Sequence, residues 1–171
     1  ALVNKGLGYN SGVEVLLRRT FANQWYGMAS LSLFDSKYQG SDGIWRDTRF
    51  NRQYLTHIAG GKEWAWHKGE KQRFVSADLR VYYNGGLRDM PIDLEASKIA
   101  QRTVYQKGTG FSRQLPAYFR IDARVSIRKV KANYTRILAL EFQNLTNHAN
   151  VAYYIYDDLK QKERLKTQLG I

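Results

Sequence analysis

Residues 117–129, AYFRIDARVSIRK, alternate apolar and polar side chains without a break. Phe119, Ile121, Ala123, Val125 and Ile127 fall on one side, and Tyr118, Arg120, Asp122, Arg124, Ser126 and Arg128 on the other. Period-two alternation dictates a β-strand with two chemically opposite faces. A soluble sheet turns the apolar face toward a protein core, whereas a membrane-spanning sheet turns it toward lipid. Which applies depends on how the neighbouring strands are connected.

Five further segments carry strand patterns. Residues 12–19 set Val13, Val15 and Leu17 against Glu14, Leu16 and Arg18. Residues 25–34 set Trp25, Gly27, Ala29, Leu31 and Leu33 against Tyr26, Met28, Ser30, Ser32 and Phe34. Residues 54–66 are weaker, because Gly60-Gly61 interrupts the pattern and predicts a bulge. Residues 73–83 set Val75, Ala77, Leu79, Val81 and Tyr83 against Phe74, Ser76, Asp78, Arg80 and Tyr82. Residues 135–144 place Leu138, Leu140 and Phe142 against Glu141 and Gln143, and a hairpin is expected in the tail, VAYYIYDD (151–158) against ERLKTQLG (163–170), turning near Lys160-Gln161.

The connections alternate. Ala22-Asn23, HKGEKQ (67–72) and KVKANY (129–134) are short, whereas 35–53, 84–116 and the stretch after 144 are long. A soluble meander has no reason to alternate in this way. An outer-membrane barrel does, with short periplasmic turns and long external loops. The strands, about ten to twelve residues each, match a tilted bilayer crossing. Aromatic residues bracket the aliphatic middles: Trp25, Trp64, Trp66 and Phe74 near the short turns, and Phe34, Tyr38, Tyr54, Tyr82, Tyr83, Tyr118 and Phe119 near the long loops. Two interfacial girdles would produce that distribution.

Composition narrows the remaining classes. The 171 residues include no cysteine, which removes disulfides, thiolate metal sites and cysteine nucleophiles. His57, His67 and His148 lack ligand spacing, and no nucleophile elbow or P-loop is present. The expectation is no enzyme, no cofactor and no metal. Asp157-Asp158 reads as a solvated carboxylate pair, and the Asn133 and Asn144 triplets as chance glycosylation matches. No basic-then-apolar signal peptide opens the chain, and no apolar run is long enough for a membrane helix. A formal charge of +12 calls for anionic surroundings, with lipopolysaccharide phosphate outside a membrane as one source and nucleic acid as another.

Several pieces carry a family resemblance. QLPAYFRIDARVSIRK, LALEFQNLTNHANV and YYIYDD…TQLGI resemble the C-terminal end of TonB-dependent outer-membrane receptors of the Bacteroidetes type. NKGLGYNSGVEVLLRRTFANQWYGMASLSLFDSKY and DTRFNRQYLTHIAGGKEW are similar to earlier strands of the same family. The resemblance implies an all-β, antiparallel, up-and-down transmembrane barrel of about 22 strands enclosing a plug. Residues 1–171 would supply about six of those strands, without the plug, the TonB-contacting segment or the final strand. The implied surroundings are outer-membrane lipid and lipopolysaccharide, the rest of the receptor, TonB and an unidentified solute, in a Gram-negative outer membrane. The C-terminal pattern differs from that of receptors paired with a surface lipoprotein, so none is expected.

The face assignment follows from the strands. Val13, Val15, Leu31, Leu79, Val81, Phe119, Ile121, Val125 and Ile127 are expected to face lipid. Glu14, Arg18, Asp78, Arg80, Arg120, Asp122, Arg124, Arg128, Glu141 and Gln143 are expected to line the lumen, with Arg and Asp paired across strands. Such a row serves either as a wall network packed against the plug or as a guide for an anionic solute. The expected function is barrel wall and loops of a TonB-dependent transporter. The alternatives are another outer-membrane barrel, a porin or an assembly component, and a soluble basic β-domain that binds nucleic acid. The last would concentrate charge on one exposed face over an apolar interior, whereas here charge gathers in alternate connections.

Overall fold

A computed structural model describes residues 6–68 and 71–168. The chain is all-β, built of antiparallel sheets with one short helix. The main sheet is a sequential meander of β1 (Leu7–Ala22), β2 (Trp25–Gln39), β4 (Tyr54–Lys68), β5 (Lys71–Asn84), β8 (Tyr118–Lys131) and β9 (Tyr134–Phe142). The short β3 (Trp45–Asp47) pairs with the outer end of β2. β1 and β9 end the strand order and do not pair with each other, so the sheet is open along both edges among the described residues.

The strands form where alternation requires them, and the first five run longer than the sequence suggests. β1 and β2 meet at a two-residue turn, Asn23-Gln24, with φ of 52° and 70°. Left-handed backbone at both positions matches the twist of a hairpin. The expected Ala22-Asn23 turn is therefore shifted by one residue, with Ala22 closing β1. The turn expected within residues 67–72 is also shorter than expected. β4 runs to Lys68 and β5 starts at Lys71, with the intervening pair outside the described residues. The sixth strand ends at Phe142 rather than 144, because Asn144 takes φ 51° and leaves the extended conformation.

Gly60-Gly61 makes no bulge, contrary to expectation. The register of β4 with both β2 and β5 runs through them unbroken. The register shift in the β1–β2 pairing lies instead between Arg19 and Ala22.

The long connections contain structure that the sequence pattern misses. Residues 84–116 hold β6 (Arg88–Asp89), β7 (Arg113–Gln114) and α1 (Leu94–Ala100). Asp93 caps α1 by accepting from the Ala96 N–H at 3.0 Å. The tail hairpin is present as β10 (Val151–Asp157) and β11 (Lys162–Thr167), with Gln161 left-handed in its turn. Leu169 and Gly170, expected in its second strand, lie outside the described residues. The hairpin packs on the preceding loop: Tyr156 N donates to Thr103 Oγ1 at 2.9 Å and Tyr154 N to Asp89 Oδ2 at 3.1 Å. Arg113 joins Asp89 (3.2 Å) to Glu163 (2.7 Å) and lies over the Tyr154 ring. Asp157 belongs to this unit, paired with Arg164 at 3.7 Å and largely shielded, so only Asp158 of the expected solvated pair is exposed.

Among the described residues the buried hydrophobic side chains are Ile92, Leu115 and Tyr156, all in these connections. The large sheet contributes none. Its aliphatic side chains instead stand in the open, Val13 at 69 % and Leu138 at 66 % exposure. Contiguous apolar exposure on this scale marks an interaction surface.

Candidate functional site

Cross-strand register fixes which side chains share a face, because directly opposed residues project to the same side. One face reads Val13-Leu33, Val15-Leu31-Thr56-Tyr83-Phe119, Ile58-Val81-Ile121 and Val75-Ile127-Leu138 along successive rows. All nine residues expected to face lipid lie on it. Trp25, Trp64, Trp66 and Tyr134 border it at the short-turn end, and Tyr54, Tyr83, Phe119 and Phe142 at the other. Tyr54 and Trp64, ten residues apart on β4, stand about 34 Å apart along the strand at the usual rise. Tilted by about 45°, that gives a band of about 24 Å, close to the apolar height of an outer-membrane wall. Phe34, Tyr38, Phe74, Tyr82 and Tyr118, placed in the girdles by sequence, project instead from the opposite face.

That opposite face carries nine of the ten residues expected to line a lumen. Gln143 is the exception, lying just beyond the end of β9. Arg80 stands opposite Asp122, Asp78 opposite Arg124, and Arg124 opposite Glu141. Arg124 Nε lies 3.4 Å from Glu141 Oε1. Asp122, 6 % exposed, accepts from Arg120 Nε at 2.6 Å and from the Asn144 N–H at 2.9 Å, so its nearest cation is on its own strand. Glu14 and Arg18 share the face on β1 but stand opposite Ser32 and Met28, away from this charge ladder.

Two contacts escaped the sequence reading because each skips a strand. Arg128 on β8 stacks on Phe74 of β5, its guanidinium 4.1 Å from the ring centre, and reaches Glu63 on β4 at 2.9 Å. Tyr26 on β2 donates to Asp78 on β5 across Gly61 of β4. A Cβ at Gly61 would run into the Tyr26 and Asp78 side chains, so the glycine opens the path. Ser76 and Ser126 complete the row at 2.8 Å.

These side chains apart from Phe74, with Arg124, Phe21 of β1 and Ile137 of β9, line one hollow of about 500 Å³. In a flat sheet β1 and β9 would be about 24 Å apart, five strand spacings. Sharing one hollow of this size requires the sheet to curl with its polar face inside. Five arginines (18, 80, 120, 124, 128) and five carboxylates (14, 63, 78, 122, 141) occupy that face, so their formal charges cancel. Balance and mutual pairing fit a structural wall better than a funnel for anions. Among the described residues no group of three His, Asp or Glu could hold a metal ion.

The loop end is held by a second polar cluster. Asn51, fully buried, donates from Nδ2 to Asp35 Oδ1 at 2.7 Å and to Asp47 Oδ1 at 2.6 Å. Arg88 meets Asp47 at 3.1 Å and donates to the Asn51 carbonyl. Arg46 binds Asp42 with two nitrogens, at 2.6 and 2.9 Å, and donates from Nε to the Gly108 carbonyl, tying two loops together. The guanidinium holds the Asp42 carboxyl down to about 2. Asn150 pairs through both side-chain polar atoms with the backbone of Phe119, each at 2.8 Å.

Comparison with protein families, with curated proteins and with solved structures finds no match to this chain.

Proposed function

We propose that the chain forms part of the wall and external loops of a TonB-dependent transporter, taking up a solute across the outer membrane of a Gram-negative bacterium. The observation that carries the membrane reading is the continuous exposed apolar face bounded by two aromatic belts. Support also comes from the polar concave face, from the alternation of tight turns with long loops, and from the sequence resemblance above. Both open edges present unpaired backbone groups, which hydrocarbon cannot solvate, so in a bilayer each edge pairs with a further strand or with the edge of another copy. The plug would occupy the concave side, TonB would act through a segment outside these residues, and lipid and lipopolysaccharide would surround the rest. No helix among the described residues is long and apolar enough to cross a membrane.

The chain purified alone is expected to need detergent and to gain protease-resistant β-structure when refolded into phosphatidylcholine vesicles. Monomeric behaviour in plain buffer contradicts the membrane reading. For the transport reading, solute uptake by cells carrying the gene is expected to stop when TonB is deleted. Uptake that survives the deletion marks a passive pore instead.

A further inference from the structure

The cations outside the loops are not evenly spread. On the apolar face they gather at the short-turn end, where register aligns four residues in one row across four strands. Trp66 stands opposite Arg73, Arg73 opposite Lys129, and Lys129 opposite Arg136. Like charges directly opposed in a sheet destabilise it, and neighbouring strands put three cations within about 10 Å. On the concave face Arg120, Arg124 and Arg128 each meet a carboxylate. Arg73, Lys129 and Arg136 make no ion pair among the described residues. They line, with Lys131 and Tyr134, a depression of about 240 Å³.

Two residues further along the same strands the row is Trp64-Val75-Ile127-Leu138, wholly apolar and aliphatic beyond β4. A ligand for the whole feature therefore carries an anion and a hydrocarbon chain a few ångströms apart. We propose that this row binds the phosphodiester of an anionic phospholipid, with its acyl chains along Val75, Ile127 and Leu138. The inference rests on the membrane reading above and adds a lipid preference in the leaflet at the short-turn end. Arg supplies a planar fork to phosphate oxygens, and Lys129 and Lys131 supply point charges. The apolar row separates this ligand from free phosphate, which has nothing to place there.

Trp66, in line with the cations, is the reporter. The chain with Trp25, Trp45 and Trp64 replaced by Phe is refolded into vesicles containing acyl-brominated phosphatidylglycerol or phosphatidylcholine, and quenching of Trp66 fluorescence is measured. Phosphatidylglycerol is expected to associate at least about five-fold more strongly, one basic residue's worth of attraction. The triple variant R73Q/K129Q/R136Q is expected to lose the preference while phosphatidylcholine quenches it as before. Equal association of the two lipids with the parent chain overturns the inference, as does a preference that survives in the triple variant. Displacement by inorganic phosphate at constant ionic strength also overturns it, in favour of a free-phosphate site. Quenching by neither lipid removes the membrane reading itself, and this inference with it.

Discussion

Arg128 on β8 and Glu63 on β4 meet at 2.9 Å although β5 runs between their strands. The span is possible because both side chains are long, the sheet curls toward them, and Phe74 beneath offers a ring for the guanidinium to cross. Their side chains are 37 % and 23 % exposed, so water screens the pair in part. A double-mutant cycle with Glu63→Gln and Arg128→Gln is expected to give a coupling of about 1 kcal/mol in urea unfolding of the vesicle-refolded chain. Strict additivity would mean that the contact contributes nothing to the curl.

Gly61 makes a sharper case. Gly61→Ala is expected to cost about 1–3 kcal/mol, because the added methyl meets Tyr26 and Asp78 inside the curl. In a Tyr26→Ala background the same substitution is expected to cost clearly less. An equal cost in both backgrounds would locate the strain elsewhere.

Asn150 stands in for a missing strand at the end of β8. Its amide supplies both partners of the Phe119 backbone and is 5 % exposed. Asn150→Ala is expected to destabilise by about 2 kcal/mol, leaving a donor and an acceptor unpaired. Amide exchange at Phe119 should quicken in parallel.

The Asp42–Arg46 pair makes the loop end sensitive to acid. The folded carboxyl titrates at about 2, below the ordinary 3.8, so the unfolded loop binds a proton first as pH falls. The pair's contribution is complete above about pH 4 and is lost as pH falls toward 2. Carbon-13 NMR of Asp42 is expected to show a midpoint near 2, moving up toward the ordinary value in Arg46→Gln, with the Ile44 N–H still holding it part of the way down.

The strands were legible because alternation is local: the faces of Val13, Leu79 or Ile121 follow from their immediate neighbours in sequence. The end of β9 was not, since it depends on Asn144 adopting a left-handed backbone that many Asn residues do not take. Girdle membership was half legible. Sequence places Tyr82 and Tyr83 at the same end, but only period two separates the inward ring from the outward one. Gly60-Gly61 looked like a defect because its purpose lies on strands before and after its own. The Asn51 cluster was invisible for the same reason: residues 35, 47, 51 and 88 become neighbours only once the loops fold back.

The central claim is that the aliphatic face meets lipid and the charged face meets water. Single nitroxide labels at positions 120, 121, 124 and 125 on β8, in vesicle-refolded chain, test it directly through collisions with oxygen and with a water-soluble nickel chelate. The labels replacing Ile121 and Val125 are expected to favour oxygen, and those replacing Arg120 and Arg124 the chelate, alternating residue by residue. Indistinguishable accessibility at all four positions would contradict the account.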